Sequence, residues 1–281
     1  MSPEPPTLLI TEPGWASSVQ DLGRPGLGHL GLGGAGTVDV AGMGRVNRAI
    51  GNDHRCAIIE TGGGLVVRAL RPVTLMASTW NSPTTVMAGE SQRFPVSHNR
   101  RWIQVAVAGG VFGHDVLGSL SADSRACIEP VPLGAGAMVS VGSAPQIPPA
   151  DLSADTRETH AVRVWPGPRQ EYVVGDALTT LCERDVAVGE GSRVGVRLLG
   201  PRFTPSGLGE LPSEGLVPGA IQIPHDGSPI VMGPDHPVTG GYPVVAVVDP
   251  RDLWVIWTAP AGAQVRFVDA SRLPLGSSEA W

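Results

Sequence analysis

Short β-branched runs that stop at glycine or proline recur along the whole sequence. TLLIT (7–11), LVVRA (65–69), PVTLMA (72–77), WIQVAVA (102–108), AMVSV (137–141) and AVRVW (161–165) are all of strand length and bounded by turn residues. The 38 glycines and 27 prolines that punctuate them are spread along the chain rather than gathered in low-complexity blocks. A chain built this way folds as a mainly β protein with many tight turns. Helices are few: DVAGMGRVNRAIGN (39–52) places Met43, Val46 and Ile50 on one face behind a capping Asp39, and DALTTLCERD (176–185) starts at Asp176.

With 281 residues the chain is long enough for one large or two medium domains. The polar, proline-containing stretch 140–158 divides it, and the strand pattern restarts at 161. We therefore expect an N-terminal domain over 1–150 and a C-terminal domain over 151–281. LLITEPG (8–14) is echoed by VRVWPG (162–167), and AGAMV (135–139) by AGAQV (261–265). In so Gly- and Ala-rich a chain these echoes leave duplication and chance both open.

Composition excludes several chemistries. Every one of the 20 basic residues is an arginine. Without lysine there is no phosphate loop of the lysine type, no Schiff base and no biotinylated residue. A formal charge of -6 with no basic cluster argues against nucleic acid. The 3 cysteines, without any C-x-x-C, read as free thiols and point to no metal. No apolar run approaches the roughly 20 residues of a membrane helix. The start MSPEPP carries no export signal, so a cytoplasmic location is expected.

Among local motifs, GLGGAG (31–36) has the spacing of a dinucleotide fingerprint but lacks the preceding buried strand, and reads as a Gly-rich loop. His29 and His236 lie beside Gly-rich segments without partners that would mark them as catalytic. In 213–249 the loop PDHPVTGGYP lies between two strands. It reads as a wide hairpin, or as a small-molecule site in which Asp235, Thr239, Gly240, Gly241 and Tyr242 supply a carboxylate, a hydroxyl, backbone N–H groups and a phenol. Arg193 and Arg197, in SRVGVRLLG, have the chemistry to receive a carboxylate or phosphate.

The boxes VQDLGRPG (19–26), GTVDV leading into RVNRAIGN, Glu60 in IIET, VAVAGGV, LGSLSADSRA, SRVGVRLLGP, SEGLVPGAIQIPHDGSPIV and TGGYPVVAVV occur in order along nearly the whole chain. In this they resemble the family of allophanate hydrolase subunit 2, also called KipA or the C subunit of 5-oxoprolinase, related to the carboxyltransferase region of urea carboxylase. The resemblance implies two related cyclophilin-like β-barrel subdomains. It also implies a cytoplasmic subunit of an ATP-dependent complex that opens 5-oxoproline to glutamate, or performs allophanate-type or biotin-dependent carboxyl transfer. The implied partners are a KipI or subunit-1-like protein, with a LamB/YcsF-type subunit or a biotin carboxylase and carrier. ATP acts at the level of the complex, and any biotin rides on a separate carrier. The alternative is a non-catalytic regulator that binds a KipI-like kinase inhibitor.

Under that resemblance Asp235, Thr239 and Tyr242 are the expected catalytic residues. Substrate contacts fall to Gln20, Asp21, Arg24, Gly36, Arg193, Arg197, Gly240 and Gly241. For the box itself we expect an Asp21–Arg24 pair that shapes loop 26–36. The sequence departs from the family pattern at His236, Pro237 and Val238, at Leu120 and at Ala35, removing polar groups beside the expected site.

Overall fold

A computed structural model describes residues 6–123, 125–126, 132–142 and 161–273. The chain divides into two compact units, Met1–Thr156 and Arg157–Trp281. From residue 143 on, the expected linker lies outside the described residues.

The first unit runs β1 (Pro6–Pro13), β2 (Ser18–Gln20), α1 (Val40–Ala49), β3 (Ile58–Thr61), β4 (Leu65–Ala69), β5 (Val73–Ala77), β6 (Thr84–Val86), β7 (Ser91–Phe94), β8 (Ile103–Val107), β9 (Val111–Phe112) and β10 (Met138–Val141). Two five-stranded sheets form, ordered β7-β4-β1-β10-β9 and β2-β3-β8-β5-β6. Leu8, Ile10, Leu65, Val67 and Phe94 of the first meet Ile59, Leu75, Ile103, Val105 and Val107 of the second in one core. The outer face of the second sheet is covered by α1, where Met43 and Val46 pack on Ile58, Met76 and Ala106. Strand β8 is thus buried on both faces, which is why WIQVAVA reads as an almost continuous apolar run. Asp39 caps α1 by accepting from Gly42 N at 2.8 Å. The glycine inside this helix has a packing cause: a Cβ at Gly42 would strike the Asp39 carboxylate and Gln104 Oε1.

The second unit runs β11 (Val162–Pro166), α2 (Ala177–Glu183), β12 (Val186–Gly191), β13 (Gly195–Leu199), β14 (Glu214–Gly215), β15 (Ala220–Gln222), β16 (Ile230–Met232), β17 (Thr239–Gly240), β18 (Val244–Val248), α3 (Leu253–Thr258), β19 (Gln264–Val265) and β20 (Phe267–Asp269). Eight strands order as β19-β12-β13-β16-β15-β18-β11-β20. The two edges are consecutive pieces of chain: β19 pairs with β12 and β20 with β11, with only Arg266 between them. The sheet therefore curls into a nearly closed barrel, which removes free edges. Val162, Val164, Val186, Val188, Val196, Leu198, Val231 and Val248 are buried, while alternate residues of β13 face solvent. Strands β14 and β17 form a separate ribbon.

The mainly β architecture is as the strand pattern requires, and α1 and α2 start at the capping aspartates. The first unit is two facing sheets and the second a barrel sheet, so the expected barrel is seen in the C-terminal unit. No helix among the described residues is long and apolar enough to cross a membrane.

Candidate functional site

The VQDLGRPG box forms the edge strand β2 and the turn after it, and its polar side chains reach to a segment about a hundred residues away. Asp21 Oδ1 accepts from Ser119 Oγ at 2.6 Å, Ser121 Oγ at 2.7 Å and Gly23 N at 2.7 Å, and Oδ2 accepts from Leu120 N at 2.7 Å. Arg24 Nη2 donates to Ser121 O at 2.6 Å and Nε to Val116 O at 3.4 Å. Gln20 Nε2 donates to Ala122 O at 3.2 Å. The expected Asp21–Arg24 pair does not form. Both side chains instead clamp the 116–122 segment, Asp21 taking its donors and Arg24 its carbonyls. Segment 116–122 lies against β2, with Ala122 N bonded to Val19 O, so it competes successfully for groups that sequence proximity would have paired.

Between Arg24 and Gly36 the chain leaves and returns as a loop closed at its neck by Arg24 N to Gly34 O at 2.7 Å and Thr37 N to Asp21 O at 2.9 Å. Gly23 makes this neck possible: it sits at φ +78°, and a Cβ there would collide with the Gly34 carbonyl. Gly36 packs on Leu22 and Gly23 at the same neck. Behind it, fully buried Glu60 accepts from Thr37 Oγ1 at 2.8 Å and Val38 N at 3.0 Å. Gln104 Nε2 donates to Asp39 O at 3.2 Å.

The second unit holds a cleft of about 530 Å³ at one end of β15 and β17. Its walls are Tyr172, the 205–211 segment, Ile223 to His225, and Gly241 to Pro243. Both tyrosines of the chain line it, Tyr172 and Tyr242. The His225 ring stands edge-on to Tyr242, with centroids 5.4 Å apart and an interplanar angle of 89°. Gln222 Nε2 holds Tyr242 O at 3.1 Å. The 205–211 wall is tied at its start by Ser206 N to Tyr172 O at 2.9 Å. Just beyond its end, a bidentate Arg169–Glu214 ion pair fastens the chain. Leu208, Leu211 and Ile223 make the cleft apolar, and the tyrosines and histidine give it a few polar groups. That is the composition of a small-molecule site, and its volume lies in the usual range.

The expected site residues separate into four places. Tyr242 and Gly241 line the cleft, and Thr239 and Gly240 lie just before them in β17. Asp235 does not line it: the carboxylate is 2 % exposed and held by Arg193, Nε to Oδ2 at 2.9 Å and Nη2 to Oδ1 at 2.9 Å. Arg193 precedes β13 rather than lying in it, and its guanidinium already holds a carboxylate of the same chain. Arg197 pairs with Asp226 at the surface, at 3.1 Å. Gln20, Asp21, Arg24 and Gly36 belong to the first unit. His236, one of the departures from the family pattern, is buried beside Pro237 and does not line the cleft.

Sequence reasoning passed over Tyr172 and His225. His225 sits in PHDG, where the turn chemistry of Pro, Asp and Gly explained the segment without it. Tyr172 lies in a single 3-10 turn, Gln170–Tyr172, that no periodicity announces. Among the described residues no group of three or more His, Cys, Asp or Glu side chains could hold a metal ion.

A family model described as carboxyltransferase domain, subdomain A and B, matches residues 30–269. The chain is 27% identical over 292 residues to the C subunit of 5-oxoprolinase from Escherichia coli (strain K12), covering 94% of this chain and 91% of that protein. It is 26% identical over 312 residues to urea amidolyase of Saccharomyces cerevisiae, covering 95% of this chain but 17% of that protein. Among solved structures, TTHA0988 superposes with a TM-score of 0.83 at 32% identity, over 95% of this chain and 56% of that one. Urea amidolyase of K. lactis shares the fold with a TM-score of 0.83 at 21% identity, over 96% of this chain and 19% of that one. The chain thus spans about half of TTHA0988 and about a fifth of the urea amidolyases.

Proposed function

Because the chain belongs to the family of carboxyltransferase domains with subdomains A and B, we propose that it is one subunit of a multi-subunit enzyme that hydrolyses a small amide, with 5-oxoproline as the substrate. The observation that carries this reading is the correspondence with the C subunit of 5-oxoprolinase over 94% of this chain and 91% of that protein. The urea amidolyases match over a small fraction of their length, and carboxyl transfer to a ureido group is the second reading, favoured by the family's description.

A lactam resists hydrolysis because nitrogen donates into its carbonyl. Attack becomes feasible when charge developing on the carbonyl oxygen is met by oriented donors. The barrel cleft offers the hydroxyls of Tyr172 and Tyr242 and the His225 imidazole as donors, beside the apolar Leu208, Leu211 and Ile223. In this reading Tyr242, Gly241 and His225 act at the substrate, Thr239 and Gly240 shape the ribbon that carries them, and Asp235 with Arg193 fixes the loop before it. ATP supplies the drive that turns the lactam oxygen into a leaving group. A chain without lysine fits neither a lysine-bearing phosphate loop nor a biotinylated residue, so nucleotide binding is assigned to partner subunits of the KipI-like and LamB/YcsF-like kinds, and any biotin to a separate carrier. The test is subtractive: this chain is co-expressed with its genomic neighbours, each is omitted in turn, and phosphate and glutamate release from ATP plus 5-oxoproline are measured. Release that persists without this chain would refute the reading.

A further inference from the structure

We infer that Arg24 is the receptor for an oxyanion, a carboxylate or a phosphoryl oxygen, at the neck of the loop it shares with Gly34. Its residue is 2 % exposed, yet its two hydrogen-bonding partners among the described residues are the neutral carbonyls of Ser121 and Val116. Its third nitrogen, Nη1, is buried with no partner among those residues. The acid near it in the chain is already engaged: Asp21 accepts from Gly23, Ser119, Leu120 and Ser121. Arg163 and Arg193, also largely buried, each hold a carboxylate in bidentate fashion. A buried guanidinium met by neutral carbonyls is expensive, and an anion at Nη1 relieves that cost through a charge-assisted bond.

The Gly-rich loop starts at this same residue, held at its neck by Arg24 N to Gly34 O and Thr37 N to Asp21 O. Nothing lies within 4 Å of where a Cβ would stand at Gly26, Gly28, Gly31 or Gly34, so there is open space beside these glycines.

The test uses the full-length chain with 5-oxoproline, inorganic phosphate and the uncharged lactam 2-pyrrolidinone at constant ionic strength. Binding is titrated, and hydrogen exchange is followed across residues 21–37. An anion is expected to slow exchange in this segment of the wild-type chain and 2-pyrrolidinone is not; Arg24→Gln should weaken anion binding at least tenfold, and Arg24→Lys less. Protection by phosphate but not by 5-oxoproline would keep the assignment of Arg24, as a phosphoryl site. Wild-type exchange that neither anion slows would overturn the assignment whether or not Arg24→Gln folds, as would an Arg24→Gln chain that binds the anion like wild type.

Discussion

Two of the barrel's arginine–aspartate pairs have similar chemistry and opposite burial, and they should respond to truncation very differently. In the Arg193–Asp235 pair the side chains are 9% and 2% exposed and meet through two parallel bonds of 2.9 Å. In the Arg197–Asp226 pair they are 47% and 49% exposed and meet through one bond of 3.1 Å. Removing one partner of a buried pair leaves the other charge without compensation and costs about 3–5 kcal/mol. An exposed pair is worth about 0–1 kcal/mol, because water and salt replace the lost partner. Arg193→Ala should therefore lower the stability of the second unit by about 3 kcal/mol or more, and Arg197→Ala by less than about 1 kcal/mol. At about 2–4 °C per kcal/mol for a protein of this size, the first change lowers Tm by roughly 10 °C. Denaturant titration followed by tryptophan fluorescence, with the Arg193→Ala/Asp235→Ala double variant included, measures the coupling. The double variant should lose clearly less than the sum of the singles. If Arg193→Ala and Arg197→Ala differ by less than about 1 kcal/mol, the reading of Asp235 as a fixed structural carboxylate is wrong.

Other expectations follow from the same contacts. Gly23→Ala forces a side chain into a left-handed backbone position against the Gly34 carbonyl and should cost about 1–3 kcal/mol by urea titration; a neutral effect would mean that the loop neck is not closed in solution. The Arg251 guanidinium, joined by its own backbone N–H and the Trp165 indole, outweighs burial and holds the Asp249 carboxyl well below the usual carboxylate range. A carboxylate with a depressed folded pKa contributes stability that is present above the unfolded value of about 3.9 and is lost as pH falls below it. The stability gap between wild type and Asp249→Asn should therefore be constant from about pH 5 to 8 and shrink below about pH 4 in acid titrations; a gap that widens on acidification contradicts this sign. Tyr242→Phe and His225→Ala change exposed side chains and should leave Tm within about 2 °C, while each lowers the kcat of the assembled enzyme at least about tenfold; unchanged kcat in both would remove the cleft from the chemistry.

What the sequence disclosed was mostly local. Strand runs, the Asp39 and Asp176 caps and the Gly-rich loop depend on neighbours within a few residues, and each is found where the pattern placed it. Helix α3 was not legible: LWVIWT has no amphipathic period, and Asp252 before it spends its carboxylate on Arg163 at 2.7 Å rather than on a cap. The partners of the polar residues were not legible for a related reason. Asp21 and Arg24 look like a pair because they are three residues apart, and Arg193 and Arg197 look available because their acids lie in distant segments. Long-range contacts decided all four, with 116–122 capturing the first two and Asp235 and Asp226 the others. The cleft assembles Tyr172, His225 and Tyr242 from three separate segments.

The most direct test of the central claim is glutamate release from ATP and 5-oxoproline by the reconstituted complex, measured with the wild-type chain, without it, and with a His225→Ala/Tyr242→Phe chain shown to assemble. The account predicts release with the wild-type chain only, and loss in the double variant with assembly intact. Equal release by the double variant, or release in the absence of the chain, would contradict it.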